Sequence, residues 1–209
     1  MNKLSLALAL ALVFAVSAPA VEPGFTSLWD GKTFNGWKKS TDNPDTFQIK
    51  DGAIVANGPR CHLYYAGDFN GGKFKNFELM IDVMTKPKSN GGVYFHTEYQ
   101  ADGWPAKGFE VQVNNSHGDW RKSGGLYAVQ DVKDALPDNE WFTEHIVVKG
   151  TNVKIFRNGK EVVNWMQPDG WKPPQGMDGR VIGEGTFALQ GHDPGSTVYY
   201  KNIRVKPLD

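Results

Sequence analysis

The stretch that decides the fold is Gly108-Phe109-Glu110-Val111-Gln112-Val113-Asn114. Apolar and polar residues alternate in it, as do the side chains of a β-strand between the two faces of a sheet. Its phenylalanine and two valines therefore form one face, which can anchor a core. The opposite face carries a carboxylate and two amides in a row, from Glu110, Gln112 and Asn114. Such a row suits the binding of sugar hydroxyl groups better than a bare solvated surface.

Alternation with a period of two recurs along the chain, between residues that favour turns. Every second residue of the stretch 77–83 is apolar, which indicates a half-buried strand. Asn158-Gly159 and Asp51-Gly52 each stand between two such segments and predict tight hairpin turns. The predicted strands cover residues 25–29, 46–49, 53–56, 62–65, 76–84, 92–98, 108–114, 126–129, 142–149, 153–157, 161–165, 186–190 and 198–206.

These strands, without a helical period longer than a turn or two, predict an all-β fold. The 24 glycines and 12 prolines that interrupt the chain every few residues agree with it. So many strands in one domain favour two antiparallel sheets packed face to face, a sandwich of the jelly-roll kind. The long loops 100–107 and 168–184 exceed what the fold needs, and we expect them to wall a cleft.

The N-terminus has the pattern of a secretory signal peptide. A positive start at Asn2-Lys3 precedes an uncharged apolar run over residues 4–16, and Ala18-Pro19-Ala20 fits the signal peptidase rule. The sequence therefore predicts a signal over residues 1–20, cleavage after Ala20, and a periplasmic or secreted protein with one domain over residues 21–209. Because the apolar run is too short for a comfortable membrane span, no membrane insertion is expected after cleavage.

Charge and cysteine content exclude several classes of function. The 23 basic and 23 acidic residues balance, so there is no electrostatic footprint for nucleic acid or an anionic membrane. Cys61 is the single cysteine, so the chain cannot form an internal disulfide. The residues around it do not match a motif of a catalytic cysteine. The sequence also lacks a phosphate-binding glycine loop, a Gly-x-Ser-x-Gly elbow and a His-Glu-x-x-His motif.

A conventional glycosidase needs two carboxyl groups that flank the scissile bond. Sandwich-type glucanases often place such acids in alternation on one strand, but the residue two positions after Glu110 is the amide Gln112. A second acid would have to come from elsewhere, for example from Glu98 or Asp193.

Short motifs spread in order over the whole mature chain point to one family. They are Phe25-Thr26-Ser27-Leu28-Trp29-Asp30-Gly31-Lys32 with Asn35-Gly36-Trp37, Ser89-Asn90-Gly91-Gly92-Val93-Tyr94-Phe95-His96, Gly108-Phe109-Glu110-Val111-Gln112-Val113, Lys122-Ser123-Gly124-Gly125-Leu126-Tyr127, Glu140-Trp141-Phe142, Asn158-Gly159, Leu189-Gln190-Gly191-His192 and Tyr199-Tyr200-Lys201-Asn202-Ile203-Arg204. As a set they resemble the bacterial 3-keto-disaccharide hydrolase family. The resemblance implies a concanavalin A-like jelly roll and a role in carbohydrate breakdown outside the cytoplasm. Members of the family have been linked to cleavage of sugars already oxidised to a ketone at carbon 3. One departure is His96, where relatives often carry an arginine.

The keto-sugar reaction asks for one general base, a group that stabilises an enolate oxygen, and a proton donor for the leaving group. Glu110 is the leading candidate for the base. His192 follows a predicted strand and can supply the proton, and its neighbour Asp193 can orient it. The alternatives are a salt-bridged or solvated carboxylate at Glu110 and a structural turn histidine at His192.

A further set of residues is expected to bind the sugar. It comprises His96, Gln112, Lys122, Tyr127, Trp104 and Asp193. For His96 the expectation rests on a shared strand face with Tyr94 and Glu98. Each has a structural alternative: an inter-strand amide, a surface lysine, or an aromatic that only packs. Asp, Glu and His side chains near the expected cleft make a divalent cation conceivable, but no ligand spacing singles out a metal site.

Three functions follow from these observations. The first is an exported hydrolase that cleaves 3-keto-glycosides by elimination and hydration, with a carbohydrate as its partner. The second is a conventional glucanase-type glycosidase, and the third is a non-catalytic carbohydrate-binding domain. The third stays open because jelly-roll sandwiches serve as enzymes and as binding modules.

Overall fold

The computed structural model describes residues 22–209, and the predicted signal over residues 1–20 lies outside them. The described chain forms fifteen strands, with 3₁₀ turns at Pro44–Thr46 and Phe69–Gly72. The strands are β1 (Thr26–Ser27), β2 (Trp37–Lys39), β3 (Phe47–Lys50), β4 (Ala53–Asn57), β5 (Cys61–Tyr65), β6 (Phe77–Thr85), β7 (Asn90–Thr97), β8 (Phe109–Asn114), β9 (Lys122–Leu126), β10 (Gln130–Val132), β11 (Phe142–Lys149), β12 (Asn152–Arg157), β13 (Lys160–Met166), β14 (Thr186–Gly191) and β15 (Thr197–Pro207).

The strands form two antiparallel sheets, which confirms the predicted two-sheet sandwich. The back sheet has the order β13-β12-β11-β6-β15-β4-β3, with β1 paired to β15. The front sheet has the order β10-β9-β8-β7-β14-β5-β2. Neighbours in a sheet are often far apart in sequence, for example β7 and β14, so both sheets are built from non-local pairings.

The core lies between the two sheets and is made by alternate residues of the strands. Phe109, Val111 and Val113 are fully buried in it, as the alternation of β8 predicts. The opposite face of β8 then carries Glu110 and Gln112 on the outer face of the front sheet. The register of β8 thus decides which residues reach the site.

Both predicted hairpin turns are present. Asn158 and Gly159 have φ values of 49° and 79°, and Asp51 and Gly52 have φ values of 52° and 69°. Two successive positive φ values suit the primed turns that match the twist of the strands they connect.

The strand predicted over residues 126–129 is wrong in its position. β9 ends at Leu126 and β10 begins at Gln130, so residues 127–129 form the turn between them. Ala128 has a φ of 60°, a left-handed conformation that interrupts the strand. β2 was not predicted, because three residues are too few to show a period.

Residues 22–209 contain no helix whose length and hydropathy would let it span a bilayer.

Candidate active site

A cavity of about 440 Å³ opens on the outer face of the front sheet. Strand residues form its floor, and the two long loops predicted to wall a cleft contribute to its sides. The lining residues are Asn90, Tyr94, Trp104, Pro105, Ala106, Glu110, Gln112, Asp119, Tyr127, Gly176, Met177, Arg180, Gln190 and His192. The lining residues come from seven separate parts of the sequence. Alternation along a strand predicts the position of the strand residues only, and not that of the loop residues.

Glu110 lies on the floor of the cavity, where its carboxylate accepts hydrogen bonds from several side chains. The Tyr94 hydroxyl donates to Oε2 at 2.9 Å, and Arg180 Nη2 lies 3.4 Å from the same oxygen. Gln190 Nε2 donates to Oε1 at 3.2 Å. With its amide nitrogen turned towards Glu110, Gln112 donates to Oε1 at 3.3 Å. Four polar side chains thus hold one carboxylate in a fixed position.

Glu110 is only 5% exposed, and this burial raises the pKa of its carboxyl group. The charge of Arg180 and the hydrogen bonds from Tyr94 and Gln190 act in the opposite direction and moderate the rise. Gly92 makes room for this carboxylate, because a Cβ atom there would lie 2.8 Å from Glu110 Oε1. The carboxylate is therefore desolvated but still supported by donors, which suits a general base.

Arg180 is a site residue that the sequence did not reveal. It comes from the loop between β13 and β14, and its guanidinium lies over the Tyr127 ring at 5.3 Å as well as against Glu110. Arg180 Nη1 is buried and has no hydrogen-bond partner. A loop has no periodicity that would point one arginine at a site, so no signal in the sequence singles it out.

His192 lines the same cavity as Glu110, at the end of β14. Its Nδ1 is 2.8 Å from Oδ2 of Asp193, which also accepts a hydrogen bond from Ser196 Oγ at 2.7 Å. These bonds and the amide of Gly195 lower the pKa of Asp193 against the effect of its burial. Asp193 thus fixes the ring and leaves Nε2 of His192 as the nitrogen available to a ligand.

Three residues predicted to bind substrate also line the cavity. They are Gln112, Tyr127 and Trp104. Both Arg121 and Arg180 place their guanidinium groups over the Tyr127 ring, at 4.7 and 5.3 Å, so its faces are already in contact with cations. Trp104 packs against His192 at a centroid distance of 5.3 Å and is 45% exposed.

The structure does not place His96 in the cavity. His96 has a φ of 54°, at a register shift where β7 has one more residue than β14 between paired positions. The irregularity ends the alternation that would put His96 beside Tyr94. Its ring instead contacts the carbonyl of Lys75 through Nε2 at 2.9 Å and the amide of Gly183 through Nδ1 at 3.3 Å. The expected shared face with Tyr94 is therefore wrong.

Lys122 also lies outside the cavity lining. Its ammonium group donates to the carbonyls of His117 and Asp119 at 2.9 and 2.8 Å and approaches Oδ1 of Asn114 at 3.4 Å. All three donors of the ammonium are thus directed at the end of β8 and the loop between β8 and β9. Lys122 fastens the loop that carries Asp119, a cavity residue.

The carboxylates near the cavity differ from those expected. Glu98, one suggested second acid, is exposed and pairs with Lys107 at 3.1 Å. Asp119 lines the cavity instead, with its carboxylate 3.6 Å from Arg121. Within residues 22–209, no group of three or more His, Cys, Asp or Glu side chains is arranged to hold a metal ion.

Residues 24–206 match the family described as the 3-keto-α-glucoside-1,2-lyase-like domain. The chain belongs to this family. The resemblance inferred from the scattered motifs is therefore confirmed, and with it the prediction of a carbohydrate-active enzyme. The candidate active site of this lyase-like domain lies on the outer face of the front sheet, around Glu110.

Among characterised relatives, a 3-keto-disaccharide hydrolase of Bacteroides thetaiotaomicron is 28% identical over 93% of this chain and 82% of its own length. A crystal structure from Parabacteroides distasonis, provisionally named a glycosyl hydrolase, is 25% identical. It has a TM-score of 0.75 and covers 89% of this chain and 94% of its own. The non-specific endo-β-1,3(4)-glucanase SCLam has a TM-score of 0.56 at 12% identity, covering 89% and 92% of the two chains, and shares the fold alone.

Proposed function

We propose that this protein is an exported hydrolase that cleaves 3-keto-glycosides, such as 3-keto-disaccharides, by elimination followed by hydration. The observation that carries the proposal is the pairing of Glu110 with Arg180. A buried carboxylate lies beside a guanidinium that keeps one nitrogen without a partner, in a cavity of about 440 Å³. This volume is within the range of about 300–1,000 Å³ that is usual for small-molecule sites. The family and the Bacteroides relative support the same substrate class.

The reaction can be written with one base. A ketone at carbon 3 acidifies the hydrogen on carbon 2, and the base takes that proton to leave an enolate. The electron pair then forms the double bond between carbons 1 and 2 while the bond from carbon 1 to the glycosidic oxygen breaks. The leaving oxygen takes up a proton. Water then adds its oxygen to carbon 1 and a proton to carbon 2, so the net change is hydrolysis.

In this scheme Glu110 is the base that removes the proton from carbon 2. Its raised pKa makes it a stronger base than an exposed carboxylate, and the donors around it still allow the ionised form. Arg180 Nη1 is the free donor for the enolate oxygen, because it is buried and unpartnered beside Glu110. His192, oriented by Asp193, gives its proton to the leaving oxygen through Nε2.

A conventional glycosidase is the second candidate, because Asp119 and Glu110 line the same cavity. Two carboxyl groups in one cavity are the minimum that glycoside hydrolysis requires. The asymmetry of their surroundings favours the first proposal. Glu110 is buried among donors aimed at it, whereas Asp119 is paired with Arg121 and with the backbone amide of that residue at 3.0 Å.

One assay separates these functions. The protein is incubated with a 3-keto-disaccharide and with the unoxidised parent disaccharide, and the released sugars are measured. We expect cleavage of the keto sugar alone and no large effect of Asp119→Asn on kcat. Cleavage of the parent sugar, abolished by Asp119→Asn as well as by Glu110→Gln, would establish the glycosidase instead. Cleavage of neither sugar, with binding of either, would support a binding module.

Export rests on the charge, apolar run and small residues of the first twenty positions, which lie outside the described residues. The test is expression of the full chain in a Gram-negative host with fractionation. We expect a periplasmic or secreted protein whose N-terminus is Val21, and a cytoplasmic product that begins at Met1 would contradict export.

A further inference from the structure

His62 is a buried histidine beside the cavity that the proposed reaction does not use. It lies on β5, is 0% exposed, and neither of its ring nitrogens has a hydrogen-bond partner. Burial lowers the pKa of His62 to about 3, so the ring is neutral at ordinary pH, with one donor and one acceptor nitrogen. Buried polar groups nearly always have partners, so an imidazole with neither nitrogen satisfied is a candidate for contact with a ligand.

The register of the front sheet connects His62 to the cavity. Gln112 pairs with Gly92, Gly92 pairs with Gln190, and Gln190 pairs with His62. Directly paired residues of antiparallel strands lie side by side on the same face. One polar row therefore crosses four strands from β8 to β5. Gln190, in the middle of the row, donates to Glu110 but has its Oε1 buried and without a partner.

The Trp104 side chain covers the His62 end of this row. Its ring lies 5.6 Å from the His62 ring at 76° and 5.3 Å from the His192 ring. Trp104 is 45% exposed although it is a large apolar side chain, and it belongs to the loop over residues 100–107 rather than to the sheet. Movement of this side chain off His62 would uncover one side of that ring, whose other aromatic neighbours are Tyr94 and Tyr64, without any change in the sheet.

We propose that His62, Gln190 and Trp104 form a second sugar subsite, which holds the leaving-group sugar and opens when Trp104 moves off His62. This inference rests on the proposed function, since it assigns the second sugar of the same substrate. An amide oxygen and a neutral imidazole suit hydroxyl groups, which both donate and accept, and an indole suits the apolar face of a sugar ring. His192, the proton donor, adjoins this subsite, because it lines the cavity and packs on Trp104.

The test compares two substrates with the same keto sugar, a 3-keto-disaccharide and the methyl 3-keto-glucoside, which lacks the second sugar. The measured quantity is the ratio of kcat/KM for the disaccharide to kcat/KM for the methyl glycoside. In His62→Phe, which keeps an aromatic ring but removes both nitrogens, we expect this ratio to fall about 3- to 10-fold. His62→Gln, which keeps a donor and an acceptor, should restore most of it.

Trp104→Ala keeps the test decisive if His62→Phe does not fold, since Trp104 is on an exposed loop. It should lower the ratio by a similar factor, whereas the matched control Trp120→Ala, another exposed tryptophan outside the cavity lining, should not. An unchanged ratio in folded His62→Phe and in Trp104→Ala would overturn the subsite. The proposed function would still stand in that case, provided that both substrates are cleaved. Cleavage of neither substrate by the wild type would overturn the proposed function itself.

Discussion

Two buried glutamates differ in their surroundings, one on the outer face of the front sheet and the other in the core between the sheets. Glu110 has hydrogen-bond donors from Tyr94, Gln190 and Arg180 and lines a cavity. Glu144, on β11, shares the inward face with the core residues Phe142 and Ile146 and is fully buried between the sheets. No side chain donates a hydrogen bond to either of its carboxyl oxygens.

Burial raises the pKa of both carboxyl groups, but the consequences differ. At Glu110 the donors and the charge of Arg180 offset part of the desolvation. At Glu144 burial dominates and raises the pKa well above its usual range, against the smaller lowering effects of the Gly124 backbone and the charge of Arg157. The guanidinium of Arg157 is bound to the carbonyl and carboxylate of Asp134. A carboxyl group with aligned donors can hold and exchange a charge, whereas one without them stays protonated and acts as a core residue.

The largest expected effect is the loss of catalysis in Glu110→Gln. Removing a general base lowers the rate by about 10²- to 10⁴-fold, so kcat on a 3-keto-disaccharide should fall about 10³-fold. Steady-state kinetics with a thermal unfolding curve for each variant provide the measurement. Glu98→Gln is the matched control, since that carboxylate is exposed and outside the cavity. Undiminished activity of a folded Glu110→Gln would remove Glu110 as the base.

Arg180→Met should have the second-largest effect, with kcat lowered about 10²-fold through the loss of the donor to the enolate oxygen. It also removes the positive charge that lowers the pKa of Glu110. The base must be ionised to act, so the acidic limb of the pH profile of kcat/KM should move to higher pH in this variant. Arg180→Lys, which keeps the charge, should move the limb less. A limb that does not move in Arg180→Met would show that the two residues are not coupled.

Glu144→Gln tests, through the free energy of unfolding, whether Glu144 is a protonated core residue. The pKa of Glu144 is higher in the folded protein than in the unfolded chain, where it is near 4.5. The wild-type protein therefore loses stability as pH rises above this unfolded value, because the unfolded chain can ionise the carboxyl group and the folded protein resists doing so. The variant cannot ionise, and its free energy of unfolding should exceed that of the wild type at pH 8 by roughly 1–4 kcal/mol. Chemical denaturation at pH 8 and at pH 4.5 measures this. The difference should shrink at the lower pH, and an equal difference at both would contradict a neutral Glu144.

The smallest expected effect concerns His96, the predicted site residue that the fold uses elsewhere. Burial lowers the pKa of His96 from 6.5 to about 4, so the unfolded chain binds more protons than the folded one between these values. Stability should therefore fall as pH falls through this window, by about 2 kcal/mol between pH 7 and 5 from this residue alone. His62, whose pKa is lowered to about 3, adds to the same trend.

The control is His96→Asn, because asparagine tolerates the left-handed backbone at this position. Its denaturation midpoints should depend less on pH between 7 and 5 than those of the wild type, even if the variant is less stable overall. The same pH dependence in both proteins would rule out His96 as the titrating group.

Short-range patterns predicted most of the fold. Alternation located β6, β8 and β11, and Asn-Gly and Asp-Gly pairs located two hairpins, because these features depend on residues adjacent in the chain. The errors fall where local structure departs from regular alternation, at the turn that contains Ala128 and at the irregular position of His96. A register shift depends on the partner strand, which the local sequence does not contain.

The sequence by itself determined that Glu110 and Gln112 share the face opposite the core, since residues two apart lie on one face of a regular strand. It also determined the family, because the motifs need only their order. Only the tertiary structure decided that Arg180 meets Glu110, that Asp119 rather than Glu98 lines the cavity, and that Lys122 fastens a loop. These contacts join residues far apart in the chain, and their geometry arises only when the sheets and loops have packed together.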